Sequence, residues 1–177
     1  MSSFTPQQIE AAHEFASTTL EILKTERGVH AETAIAGTAR MAGTFLFRSF
    51  KFSLKNPKPG QAVLSDQANE QGPRLVEVLG GVLENAGIKL DPRKLGYSSN
   101  NEPLLDFLET QKLLEPKYTI IRRRLSISLQ ESADSAAAAT ALLIEQSAQT
   151  LDPNIAFSIA MYGFIEGSKT FPEPVIE

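Results

Sequence analysis

The residues of this chain that could do chemistry fall in four short runs. The longest is GVHAETAIAGTARMAGTFLFRSF, residues 28–50, which carries His30, Thr33, Arg40, Thr44 and Arg48 among alanines, glycines and apolar side chains. At 100° per residue these five share about a third of a helix surface with Gly37 and Lys51, as a polar, cationic stripe about 27 Å long. Such a stripe can wall a groove that takes an anion or the acidic face of a partner, because guanidinium groups make charge-assisted hydrogen bonds to carboxylate and phosphate. The solvent-facing side of a central helix produces the same pattern, with arginine stems lying over apolar neighbours.

A second run, SDQANEQGP at 65–73, offers Asp66, Asn69 and Glu70. Read as a polar loop ahead of a helix starting at Pro73, it could set carboxylate and amide groups beside the His30 stripe. The third run, Glu10-Ala11-Ala12-His13, has the Glu-x-x-His spacing of di-iron carboxylate bundles. That architecture needs a second copy and two further glutamates, and the sequence has no second copy. The fourth, Arg122-Arg123-Arg124, fans over about 200° of a helix and so cannot converge on one phosphate; structural ion pairs are the better expectation.

Composition removes other chemistries. There is no cysteine, so disulfides, thiolate metal sites and cysteine nucleophiles are excluded. His13 and His30 are the only histidines, which argues against a multi-histidine metal centre. No calcium loop, phosphate loop, dinucleotide fingerprint or nucleophile elbow is present. No catalytic residue, metal or cofactor is therefore assigned. The net charge of −4 argues against nucleic acid as a partner. The opening segment lacks the basic and apolar regions of a signal peptide. The longest uncharged run, Pro153 to Ile165, is shorter than the roughly 20 residues of a membrane span. A soluble, cytoplasmic protein without membrane contact is expected.

These residues must be positioned by helices. Thr5-Pro6-Gln7-Gln8 has the form of a capping box, and the helix it opens should close at Gly28. A second helix is expected from about His30 to Leu54, and a third from Pro73 to about Ala86, closed by Gly87. Residues 61–72 stay ambiguous, and Leu90 to Asn101 is expected to form an ordered loop. Asn101-Glu102-Pro103 and Glu115-Pro116 suggest two more helices, the latter to about Glu131. Two strongly apolar helices, 134–150 and 153–166, should close the domain as a hydrophobic hairpin, the alanine face of the first receiving Phe157, Met161, Tyr162 and Phe164. No period-2 alternation bounded by hairpin turns marks a strand.

The expected fold is all-α, a helical bundle of six or seven helices over residues 1–170, with a short Pro-containing tail at 171–177. Within residues 28–50, Ala36, Ala39 and Gly43 form a shallow ridge that lets a neighbouring helix approach closely. Helices 30–54, 134–150 and 153–166 are apolar around most of their girth, more than a small bundle readily centres, which points to a homo-oligomer, most simply a dimer. The leading functional expectation is a non-catalytic binding or adaptor protein acting through helix faces, with an anionic ligand or acidic protein as partner. The alternative is a small-molecule enzyme or sensor, with a pocket between helix 30–54 and the 65–71 segment.

Overall fold

The computed structural model describes residues 3–96 and 99–175, and within them the chain forms six α-helices. Helix α1 (Pro6–Leu23) starts at the expected capping box: the Thr5 hydroxyl accepts from the Gln8 amide, and the Gln8 side chain accepts from the Thr5 amide. It stops at Lys24, earlier than expected, because the backbone there is extended. Gly28, with φ +94°, instead closes a tight turn back to Thr25. Helix α2 (Ala31–Ser49) ends five residues before Leu54, where Lys51 takes a left-handed conformation with φ +53°.

Helix α3 (Asp66–Asn85) corrects the expectation for residues 65–73. Ser65 is its cap, accepting from the Ala68 amide, so the polar run is the cap and first two turns of a helix, with Pro73 inside it. Helix α4 (Phe107–Arg124) is one helix where two were expected. It opens on a capping box between Asp106 and Glu109 and carries Pro116 internally. Each internal proline removes one main-chain hydrogen bond, a loss borne by a helix whose other turns are held by packing. Helix α5 (Leu129–Ser147) begins at Ser128, whose box partner is Glu131; that glutamate starts a helix rather than ending one. Helix α6 (Pro153–Ser168) starts as expected at Asp152-Pro153. The expected loop at 90–101 contains short 3-10 turns at Pro92–Lys94 and Ser99–Asn101, while its residues 97 and 98, like 176 and 177 of the tail, lie outside the described residues.

The helices are arranged around α2. Every residue from Thr33 to Phe47 is buried, with α6 and α5 as its most extensive neighbours and α1, α3 and α4 completing the wrap. The alanines of α5 fit tightly against α2, and α1 also packs along α5. The contact between α5 and α6 themselves is slight, so the expected pairing of the two gives way to a common packing on α2, and Tyr162 is 56% exposed. The ridge of Ala36, Ala39 and Gly43 is met by glycines on α6. A Cβ added to Gly163 would stand 2.6 Å from Ala39 Cβ, and one added to Gly167 would lie 2.9 Å from Gly43 Cα.

At the heart of the core Tyr118 of α4 is fully buried. Its ring stacks on Phe15 at 4.2 Å between centroids, and its hydroxyl donates to the Phe15 carbonyl oxygen at 3.0 Å, with Thr19 and Thr38 as further partners. Burial pushes this phenol from the usual 10.0 up to about 12, only partly offset by the two threonine hydroxyls.

Gly167→Ala is expected to destabilise the protein by roughly 1–3 kcal/mol or more, because the added methyl meets main chain that cannot step aside. Gly80→Ala, where a Cβ meets nothing within 4 Å, should stabilise α3 by about 0.5–1 kcal/mol; thermal unfolding of the two variants checks both signs. In the pH dependence, the folded phenol holds its proton to higher pH than the unfolded one. The stability that this group contributes is therefore undiminished below pH 10 and falls as the pH rises toward 12, by roughly 2–3 kcal/mol. Urea unfolding across that range should show the loss, and Tyr118→Phe should flatten it.

Candidate functional site

The cationic stripe of α2 faces α4 and the chain leading into it, and the fold's own acceptors occupy it. Gly37 admits Thr110 and Leu114 of α4, whose side chains would stand 3.1 and 3.2 Å from a Cβ there. Arg40, only 7% exposed, donates through Nε to Glu166 Oε2 at 2.9 Å and through Nη1 to the Leu105 carbonyl at 2.7 Å and Thr110 Oγ1 at 3.1 Å. Arg48 grips the buried carboxylate of Glu115 in a two-pronged contact, with Nε at 2.5 Å and Nη2 at 3.0 Å, and Nη2 also reaches the Glu173 carbonyl. Thr44 is buried between these arginines, its hydroxyl without a protein partner among the described residues.

The tail is part of this enclosure. Phe171 pairs by its backbone with Gly60 and Gln61, and Glu173 exchanges two hydrogen bonds with the Gln111 side chain. The arginines thus serve as internal ties between helices, and the middle of the stripe, from Thr33 to Thr44, is closed to solvent. Arg124 follows the same rule, pairing with Glu10 and Glu14 of α1, while His13 is exposed. Asp134 of α5, nearly buried, pairs with Arg74 of α3; burial raises its carboxyl above the usual carboxylate range, and the arginine pulls it partly back.

Asp66, Asn69 and Glu70 sit in the first turns of α3, away from His30. Asn69 borders a groove between α3 and α6, and His30 borders a different one, so the grooves do not open where helix α2 and residues 65–71 were expected to share a pocket. Among the described residues, no three His, Asp or Glu side chains are grouped to hold a metal ion. No helix in them is long and apolar enough to cross a membrane.

The groove at His30 is the more informative. It lies where the end of α1, the turn at 24–29, the start of α2 and residues 104–105 meet the first half of α4, with a volume of about 560 Å³. Ile22, Leu23, Val29, Leu104, Leu105 and Leu113 make its walls, and Leu104 is 73% exposed there. The charged side chains lining it are Lys24 and Arg27, with His30 beside them. Histidine 30 is already engaged: Nδ1 lies 2.7 Å from Thr33 Oγ1 and Nε2 lies 3.3 Å from Glu32 Oε2, while Thr33 Oγ1 also accepts from the Leu104 amide. A neutral ring with its proton on Nε2, receiving the threonine hydroxyl proton at Nδ1, satisfies all three contacts.

Arg27 differs from the stripe arginines. Arg40, Arg48, Arg74, Arg93 and Arg124 each hold a carboxylate, whereas the Arg27 guanidinium and the Lys24 ammonium have no partner among the described residues. Of the eight residues singled out from sequence, His30 and Thr33 belong to this groove, Arg40, Thr44 and Arg48 are enclosed, and Asp66, Asn69 and Glu70 lie on α3. Lys24, Arg27, Leu104 and Leu113 belong to no motif or helical stripe in the sequence. The signal available for them was faint: two cations flanking Thr25-Glu26, and leucines without a helical companion at 104.

If Arg48 is an internal tie, Arg48→Gln strands a buried carboxylate and should cost about 3 kcal/mol, lowering the melting temperature by roughly 6–12 °C. Glu115→Gln in the same chain should recover part of that loss, since the stranded charge is gone. Calorimetry of the single and double variants checks the pair. Compared with known proteins, the chain matches no family model, no curated protein and no solved structure.

Proposed function

We propose that this is a non-catalytic helical binding protein that captures an acidic, amphipathic segment of a partner protein in the groove between α1, α2 and α4. The observation that carries the reading is the free cation pair, Lys24 and Arg27, beside an apolar trough whose lining contains no carboxylate. An apolar trough with exposed leucines gains affinity by covering Leu104 and Leu113, which are 73% and 44% exposed. Two unpaired cations at its edge select a ligand that brings carboxylates to meet them, and they bias encounter toward acidic partners. An amphipathic helix supplies both, with apolar residues at i, i+3, i+4 and i+7 and glutamates on the flank.

The polar groups of the α2 stripe support the same conclusion by their engagement. Arg40, Arg48 and Glu115 are committed to holding α2, α4 and the tail together. Glu26 and Glu32 stand near the groove, yet neither lines it, and Glu32 is turned to His30 and Asn101. A cytoplasmic setting accords with a cysteine-free chain, which has no disulfides to form elsewhere.

The test uses a fluorescein-labelled helical peptide of about 15 residues carrying leucines at helical spacing and glutamates on one flank. Fluorescence anisotropy should show saturable binding that weakens with salt. Arg27→Gln should weaken it about tenfold without moving the melting temperature, since Arg27 holds nothing within the fold, and Leu104→Glu should abolish it. Equal binding of the same peptide with lysines for glutamates would overturn the proposal.

A further inference from the structure

We infer that two copies of this chain pair through the groove between α3 and α6, each filling the other's. This surface is separate from the cationic groove, and its properties differ. The walls are Gly72, Pro73 and Val76 on α3 and Met161, Phe164 and Ile165 on α6, enclosing about 440 Å³. It carries one charge of each sign. Lys169 stands at one end, where its ammonium donates to Asn69 Oδ1 at 2.8 Å. Glu77 lies two turns further along α3, about 12 Å away by helical rise, is exposed, and has no partner among the described residues.

That arrangement is self-complementary. A two-fold interface brings the same patch against itself, so residue i of one copy meets residue j of the other, and j meets i. An axis through the middle of the groove sets Lys169 of each copy against Glu77 of the other, giving two ion pairs from one charge pattern. A groove of a single sign would repel itself in this geometry; this one attracts itself.

The chain also supplies something to fill the trough. Leu64 is 82% exposed, and it follows Val63, whose amide donates to the Lys169 carbonyl at 2.7 Å. It therefore projects at the Lys169 end, and the two-fold axis carries it over the Glu77 end of the other copy. Ile165, 51% exposed and one turn from Lys169, lies nearer the axis. Of the other nearby charges, Glu166 is held by Arg40 and Arg74 by Asp134, while Asp66 and Glu70, exposed on the first turns of α3, lie outside the groove's lining. Helix α6 has no charged residue in its length other than Glu166, which accounts for an apolar outer face that the bundle itself does not cover.

Sedimentation equilibrium of the full chain should give twice the 19.3 kDa chain mass at about 100 µM and approach the monomer on dilution. Glu77→Lys and Lys169→Glu each put like charges into both contacts and should weaken the dimer about tenfold or more. The double variant Glu77→Lys/Lys169→Glu restores the pairing with its polarity reversed and should recover the parent's affinity. Leu64→Glu should leave a monomer with an unchanged melting temperature, because that side chain packs on little within its own copy. A monomer for the parent chain at every concentration overturns the inference. So does a dimer that the single charge variants leave intact, or one that the double variant fails to rescue.

Discussion

Gly163 and Gly167 of α6 lie so close to Ala39, Arg40 and Gly43 of α2 that a methyl group at either position would overlap its neighbours. This approach sets the position of the remaining helices. Two helices in near main-chain contact leave no room for long side chains between them, so α2 presents alanines there and directs its larger residues elsewhere. Phe45 and Met41 go into the common core, and Arg40 and Arg48 turn toward α4. With α6 on one side and the alanine-rich α5 on another, α2 is enclosed along fifteen consecutive residues, from Thr33 to Phe47.

Enclosure raises the electrostatic problem that the rest of the molecule answers. A buried guanidinium is tolerated only with its charge and its donors met. Arg40 obtains a glutamate from α6, a carbonyl from the chain entering α4 and a threonine from α4 itself. Arg48 obtains Glu115 of α4 and the main chain of Glu173. The tail is held in the same way, through Gln111 and the backbone pairing of Phe171. The segment that links α2 to α3 and the segment that follows α6 are thus tied by one set of contacts, centred on charges that packing forced inside.

Where the wrapping ends, two grooves open. The groove at Lys24 and Arg27 forms because α1 stops early and the turn at Gly28 carries the chain away from α4, leaving leucines of the 104–105 segment partly uncovered. The groove between α3 and α6 forms because α6 faces α2 with its glycines and so turns Met161 and Ile165 outward. The lining of the first carries two cations and no carboxylate, the ground for proposing an acidic partner there; that of the second carries one charge of each sign, the ground for proposing a second copy.

Much of the architecture was legible in the residues themselves. The capping box at Thr5, the start at Asp152-Pro153, the stop at Gly87 and the small-residue ridge of α2 are local features, decided within a few residues by hydrogen bonding and sterics. The misplaced boundaries also have a local explanation. Pro73 and Pro116 each carry a local signal for a helix start, while Ser65 and the Asp106–Glu109 and Ser128–Glu131 boxes, equally visible in the sequence, mark the actual ones. A proline inside a helix costs one hydrogen bond, and only packing on neighbouring helices decides whether the helix survives it. The same holds for the stripe. Its spacing determined that His30, Thr33, Arg40, Thr44 and Arg48 share a face, because helical periodicity is a property of the chain. Whether that face meets water, a ligand or another helix depends on residues 65 to 126 positions away, such as Leu105, Thr110, Glu115 and Glu166. Helical spacing says nothing about those partners, so only the tertiary structure could decide that the arginines turn inward and that the cations lining the groove are Lys24 and Arg27.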